Sequence, residues 1–104
     1  MAFLKIPSPT IAEEHAKVRC YGTEWSILDD EASSGLFVNG EQVTLRVLRD
    51  GDELRLGDVR LRVLLDPAEP GLRLVALGPA GGDRVFVLDE VLNFIGRGPE
   101  WSLE

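Results

Sequence analysis

The stretch Asp52-Glu-Leu-Arg-Leu-Gly-Asp-Val-Arg-Leu-Arg-Val-Leu-Leu65 decides the fold class. Apolar and polar residues alternate on both sides of Gly57-Asp58, which is the pattern of two strands that bury one face and expose the other. Glycine accepts a positive φ, so Gly57-Asp58 suits the tight turn of a hairpin. The alternation predicts that Arg60 and Arg62 face water. It predicts that the core-facing residues are Val59, Leu61, Val63 and Leu65.

Short runs with the same two-residue period lie on both sides of this hairpin. Upstream, residues 15–21 and 23–28 alternate around Gly22 and predict a second hairpin, with Trp25 in the core. Downstream, segments rich in glycine and proline separate three further runs, which lie at residues 72–77, 84–88 and 91–95. Helical spacing is nearly absent. The sequence therefore predicts an all-β sandwich or barrel.

Length, composition and charge fit one small domain and exclude several functions. The chain has 104 residues, 44% hydrophobic and 28% charged, which is apolar enough for a single core. Eleven Lys+Arg against 18 Asp+Glu give a net charge of -7, and no basic patch offsets it, so we expect no nucleic-acid binding. No stretch approaches the roughly 18 apolar residues of a membrane span, so we expect no membrane insertion. The single Cys20 fits a reducing compartment, and a cytoplasmic location is expected.

Three segments resemble, in order and spacing, the forkhead-associated (FHA) domain family. They are Ile11-Ala-Glu-Glu-His15, Ser33-Ser-Gly-Leu-Phe-Val-Asn-Gly40 and Leu48-Arg-Asp-Gly-Asp-Glu-Leu-Arg-Leu-Gly57. The family's Gly-Arg element is present as Gly96-Arg97, near the C-terminus, whereas in the family it precedes these segments. The resemblance implies an FHA-like β-sandwich of short antiparallel strands, formed here by one domain over residues 1–104.

The displaced Gly-Arg element suggests a circularly permuted strand order. Residues 1–65 would form the main part of the domain, residues 66–71 would link the family's old termini, and residues 72–104 would supply the family's N-terminal strands. The alternative is a fragment of a tandem array, whose last strands would pair with a neighbouring chain. Both alternatives stay open, and with them a monomer or a domain-swapped dimer.

The resemblance also implies a loop-rich edge that binds phosphothreonine through an arginine, a serine and neighbouring polar groups. Phosphate carries about two negative charges and favours such charge-assisted donors. Arg97 matches the family's arginine, but Ala12 stands in place of its serine and Glu13 in place of the next arginine or asparagine. Ser33 keeps a hydroxyl, whereas Ser34 replaces an asparagine. We expect the lost donors and the added carboxylate to weaken phosphate binding.

Four residues are interpreted as structural rather than binding residues. The resemblance implies that His15 holds its loop by hydrogen bonds, and Gly96 is assigned to the framework of the Gly-Arg loop. Asn39-Gly40 predicts a type I′ turn, because both central positions of that turn need a positive φ. For Arg97, a surface ion pair with Glu13 or Glu100 is weighed against phosphate binding.

Three functions fit this sequence. The first is an FHA-like protein-protein interaction module that binds a protein or peptide partner without needing phosphorylation. The alternatives are a phosphothreonine-peptide reader that relies on Arg97 and Ser33, and a structural ring or scaffold unit of a bacterial assembly. No nucleophile with a base, no catalytic carboxylate pair and no metal-ligand cluster is evident, so we expect neither an enzyme nor a cofactor.

Overall fold

The computed structural model describes residues 1–30, 35–78, 82 and 84–104. These residues form strands, turns and loops. In chain order the strands are β1 (Ala2–Ile6), β2 (Ala16–Tyr21), β3 (Glu24–Asp29), β4 (Leu36–Val38), β5 (Glu41–Gln42), β6 (Leu45–Val47), β7 (Glu53–Leu56), β8 (Val59–Leu64), β9 (Leu72–Ala76), β10 (Val85–Leu88), β11 (Leu92–Arg97) and β12 (Ser102–Leu103). The described part of the chain contains no helix that is long and apolar enough to cross a membrane.

The strands form two six-stranded sheets, which enclose one core. The strand order is β12-β1-β11-β2-β3-β6 in the first sheet and β10-β9-β8-β7-β4-β5 in the second. In β8, Leu61 and Val63 are fully buried while Arg60 and Arg62 are exposed. Burying one such valine or leucine stabilises the fold by roughly 1.5–3 kcal/mol. The predicted all-β fold is confirmed.

Two tight turns have the backbone geometry that their residues favour. Asn39 has φ 52° and Gly40 has φ 83°, and the pair joins Val38 to Glu41 in the β4–β5 hairpin. Positive φ at both central positions is the requirement of a type I′ turn. Gly57, with φ 59°, opens the β7–β8 turn.

Strand β11 lies inside the first sheet, between β1 and β2 of the same chain. It runs antiparallel to β2, with Ile95 opposite Ala16. It runs parallel to β1, with Arg97 opposite Ile6, so one pairing differs from the antiparallel expectation. A period-two pattern specifies which face of a strand is buried, but it does not specify the direction of the neighbouring strand.

The C-terminal strands belong to both sheets. β9 pairs with β8 and β10 pairs with β9 in the second sheet, while β11 pairs with β1 and β2 in the first. Residues from both ends of the chain therefore share one core. That this strand order arose by circular permutation stays a prediction. The parallel register has a consequence for the site, because it brings the C-terminal ends of β1 and β11 to the same end of the sandwich.

Candidate functional site

The loop between β1 and β2 lies against the end of β11. We call this end of the molecule the Gly-Arg pole and define it as residues 7–15 and 96–100. The amide of Arg97 donates to the carbonyl of Ala12 at 3.0 Å, and the amide of His15 donates to the carbonyl of Ile95 at 2.9 Å. The pole is therefore held by backbone hydrogen bonds across residues that are 80 or more positions apart in sequence.

Gly96 allows the loop to lie directly on β11. The residue is buried, and a Cβ added to it would overlap the carbonyl oxygen of Glu13 and lie 2.7 Å from its carbonyl carbon. Because both atoms belong to the backbone, a side chain at this position would require the loop itself to move. The glycine thus sets the short distance between the Glu13 backbone and the strand that ends in Arg97.

His15 joins the same loop to the second sheet. Its side chain is fully buried. Nδ1 accepts a hydrogen bond from the Ala12 amide at 3.1 Å, and Nε2 lies 2.8 Å from the carbonyl oxygen of Gly35. A carbonyl only accepts, so this geometry assigns the proton to Nε2. The ring therefore fixes residues 12–15 against the start of β4.

Arg97 forms an ion pair within its own pole. Its Nη2 lies 3.4 Å from the Glu13 carboxylate, and its Nη1 lies 3.4 Å from the Ile11 carbonyl oxygen. The side chains of Arg97 and Glu13 are 43% and 82% exposed, so this pair contributes only about 0–1 kcal/mol. Of the two carboxylates weighed from the sequence, Glu13 is the one within ion-pair distance.

An open groove of about 570 Å³ lies beside Arg97. Its lining includes two cations, Lys5 and Arg97, and two acids, Glu13 and Glu14. The Lys5 ammonium lies 3.0 Å from the Glu104 carboxylate, and this hydrogen bond and charge hold the pKa of Glu104 below its ordinary value. The groove therefore offers two cations, each within ion-pair distance of a carboxylate.

Lys5 was not found by sequence reasoning. It lies on β1, opposite Gly96 in the parallel ladder with β11. The available signal was the alternation of β1, which puts Phe3 and Lys5 on the face opposite Leu4 and Ile6. That signal does not identify the neighbouring strand, and so it could not place the lysine beside Arg97.

The remaining residues proposed from the sequence do not all lie at the Gly-Arg pole. Ser33 and Ser34 lie outside the described residues. The Asn39 side chain bonds the start of β7, where it donates to Asp52 at 2.9 Å and accepts from the amide of Glu53 at 2.9 Å. The structure thus brings Ala12, Glu13, Gly96 and Arg97 together at one pole and fixes the Asn39-Gly40 turn on β7.

A second cluster, of polar side chains that the sequence analysis did not identify, holds the beginning of the β1–β2 loop. The hydroxyls of Ser8 and Thr10 donate to one carboxylate oxygen of Asp58, at 2.6 and 2.7 Å, and the Asp58 amide donates to the Thr10 hydroxyl at 2.9 Å. Gly57 packs against Thr10 so closely that an added Cβ would overlap it. The β7–β8 turn and the β1–β2 loop are therefore one bonded unit.

The Asp58 cluster predicts a pH-dependent part of the stability. The hydrogen bonds from Ser8 and then Thr10 lower the pKa of Asp58 from 3.8. Because the pKa is lower in the folded state than in the unfolded state, the ionised carboxylate stabilises the fold at pH values above the unfolded pKa. This stabilisation is lost as pH falls through the pKa of the folded state. We expect Asp58→Asn to unfold at lower urea than the parent at pH 7, with the difference shrinking as pH falls below 3.8. A difference that stays constant with pH would contradict this role of the charge.

Metal binding finds no support in the described parts of the chain. No group of three or more His, Cys, Asp or Glu side chains among these residues could hold a metal ion.

Comparison with known proteins identifies the family. The model of the FHA domain family matches residues 3–57, which are 55 of the 104 residues. The chain belongs to the FHA family. This match confirms the resemblance seen in the sequence. The matched segment includes the β1–β2 loop with Ala12, Glu13 and His15. Gly96-Arg97 lie outside the matched segment.

Several curated relatives share this FHA segment. The glycogen accumulation regulator GarA of Mycolicibacterium smegmatis is 38% identical over 58 residues, which cover 56% of this chain and 37% of the relative. GarA of Mycobacterium tuberculosis is 35% identical over 60 residues, covering 58% and 37%. The oxoglutarate dehydrogenase inhibitor of Corynebacterium glutamicum is 35% identical over 60 residues, covering 58% and 42%. The chain spans about two fifths of the length of these relatives. FHA membership, with a regulator and an inhibitor among the relatives, supports a protein-interaction module.

Proposed function

We propose that this FHA domain is a non-enzymatic module that docks a protein partner at the Gly-Arg pole without requiring phosphorylation of that partner. The ion pair between Arg97 and Glu13, at 3.4 Å, carries the proposal. A phosphate that approached Arg97 would bring about two negative charges to the Glu13 carboxylate. The repulsion between these like charges opposes phosphate binding at the arginine.

The backbone and side chain of Ala12 support the same function. The methyl side chain has no hydroxyl to donate to a phosphate. The backbone N–H of Ala12 already donates to Nδ1 of the buried His15. Recruiting that amide for a ligand would leave a buried imidazole nitrogen unpaired, which costs about 1–3 kcal/mol. This segment therefore contributes little to phosphate recognition.

A working phosphothreonine reader is the second candidate, and Lys5 favours it. The Lys5 ammonium and the Arg97 guanidinium line one groove, so two cations face the same space. Their partners Glu104 and Glu13 have exposed side chains, and both carboxylates can turn toward solvent. A phosphate that displaced both carboxylates would gain two charge-assisted contacts. In this alternative Arg97 and Ser33 would be the main donors, with Lys5 as a third.

Titration with matched phosphorylated and unphosphorylated threonine peptides separates these functions. We expect the parent chain to show no preference for the phosphorylated set. Restoring the family's residues with Ala12→Ser and Glu13→Arg should raise phosphopeptide affinity by about tenfold or more, which corresponds to about 1.4 kcal/mol. The measurement is the Kd by fluorescence polarisation.

Two further variants complete this experiment. Glu14→Gln removes one charge from the same groove without restoring a family residue, and it should raise phosphopeptide affinity much less than the double replacement. Micromolar binding of phosphopeptide by the parent chain, lost on Arg97→Ala, would overturn the proposal in favour of the reader.

A further inference from the structure

The end of the sandwich opposite the Gly-Arg pole contains a larger groove, of about 760 Å³. It lies between the β2–β3 turn, residues 65–71 and the turn at residues 89–91, and we call it the acidic groove. We propose that the acidic groove binds a basic peptide segment that inserts one apolar side chain. The floor, the rim and the rigidity of the groove support this assignment.

The floor of the acidic groove is apolar. Trp25 lines it while only 6% exposed, so the indole belongs to both the core and the groove wall. Leu65 and Cys20 also line it, are partly buried and pack against the core. At the edge, Val91 is 73% exposed. Exposed apolar surface next to a concave apolar floor is typical of a binding site for an apolar side chain.

The rim of the acidic groove carries four carboxylates. They are Asp66, Glu69, Asp89 and Glu90. Glu69 is paired with Arg73, so the other three acids dominate the charge of the rim. None of the described lining residues is a lysine or an arginine. The chain as a whole has a net charge of -7. The negative electrostatic potential of the rim therefore attracts a basic segment and repels a second copy of the chain.

The turn at residues 89–91 is held in place before any ligand binds. Asn93 is fully buried, and its Nδ2 donates to the Glu90 carbonyl at 2.9 Å and to the Val18 carbonyl at 3.3 Å. The Cys20 amide donates to the Val91 carbonyl at 2.9 Å. A pre-formed turn lowers the entropy cost of binding, because its backbone needs little further ordering.

The acidic groove is separate from the Gly-Arg pole. Strand β11 begins at Leu92 beside the groove and ends at Arg97 at the pole. Five residue steps along a strand span roughly 17 Å, at about 3.3 Å per residue. A basic segment in the groove therefore does not contact Arg97, and this inference does not rest on the function proposed for the pole.

The experiment titrates the ¹⁵N-labelled chain with the peptide acetyl-Gly-Lys-Arg-Leu-Arg-Lys-Gly-amide. We expect chemical-shift changes at Cys20, the Trp25 indole, residues 65–71 and residues 89–91. A peptide with serine in place of leucine should bind several-fold more weakly, because it lacks the apolar anchor. A peptide with glutamate in place of the four basic residues should not bind. Shifts spread over the whole surface, or none at millimolar peptide, would overturn the proposal.

Charge-matched variants separate a specific site from general attraction to an acidic protein. Asp89→Asn with Glu90→Gln should weaken binding about tenfold, whereas Glu41→Gln with Glu100→Gln removes the same charge elsewhere and should leave Kd within about twofold. If both double variants weakened binding equally, the affinity would depend only on the net charge of the chain, and the proposal of a specific site would be wrong. Arg97→Ala should leave this Kd unchanged, so failure here is distinguishable from failure at the Gly-Arg pole. Dispersed amide spectra verify that each variant is folded.

Discussion

Gly96→Ala is expected to lower the free energy of unfolding by about 3 kcal/mol or more, a large part of the total stability of a small domain. The added Cβ would overlap the Glu13 carbonyl oxygen and contact the Phe3 ring at 3.2 Å. The loop cannot move away without stretching the backbone hydrogen bonds from Arg97 to Ala12 and from His15 to Ile95. The measurement is urea unfolding followed by tryptophan fluorescence.

Gly22→Ala is the matched control for this prediction. Gly22 has φ 61°, and nothing lies within 4 Å of a Cβ added there. Alanine at that position is strained only by its left-handed backbone, which costs about 1–2 kcal/mol. If the two variants lost the same stability, the close approach of Gly96 to Glu13 would not be the cause. Amide exchange should also increase at Ala12 and Arg97 in the Gly96 variant, and not in the control.

Local patterns in the sequence were sufficient to predict strands β2, β3 and β7 to β11. The alternation of β8 correctly predicted that Arg60 and Arg62 point to water and that Leu61 and Val63 point inward. Burial of alternate side chains is a property of each strand alone, so it can be recognised without knowing its neighbours. The same holds for the turn residues Asn39 and Gly40, whose φ values follow from local chemistry.

Strand partners could not be predicted in the same way. Strand β6 lies at the edge of the first sheet, where its Leu45 and Val47 are 55% and 46% exposed. Leucine and valine ordinarily indicate a buried face, so their residue types alone did not show where this strand lies. Its direction and neighbour depend on the strands already in the sheet. The parallel pairing of β1 with β11 has the same origin, and Lys5 reaches the Gly-Arg pole through that pairing.

The candidate site was predictable only where a family resemblance supplied long-range information. Glu13 and Arg97 are 84 residues apart, and nothing in their local sequences brings them together. The resemblance assigned both to one edge. It contained no information on the Ser8–Asp58 contact, which joins residues 50 positions apart, because that contact depends on how one loop packs on a particular turn.

His15→Leu is expected to cost about 3 kcal/mol of unfolding free energy, because the side chain makes two hydrogen bonds in a fully buried position. Leucine fills much of the volume but leaves the Ala12 amide and the Gly35 carbonyl without partners. An unpaired buried polar group costs about 1–3 kcal/mol. Thermal and urea unfolding of the variant at pH 7 measure the loss.

Two polar replacements resolve the contributions of the two ring nitrogens. His15→Asn can place an acceptor near the former Nδ1 and should recover protection of the Ala12 amide from exchange. His15→Gln can reach farther, donate to the Gly35 carbonyl near the former Nε2, and recover the link to β4. We expect both to be more stable than the leucine variant. If leucine were as stable as either, hydrophobic packing rather than hydrogen bonding would hold residues 12–15 in place, and Arg97 would owe its position beside Glu13 to the close contact at Gly96.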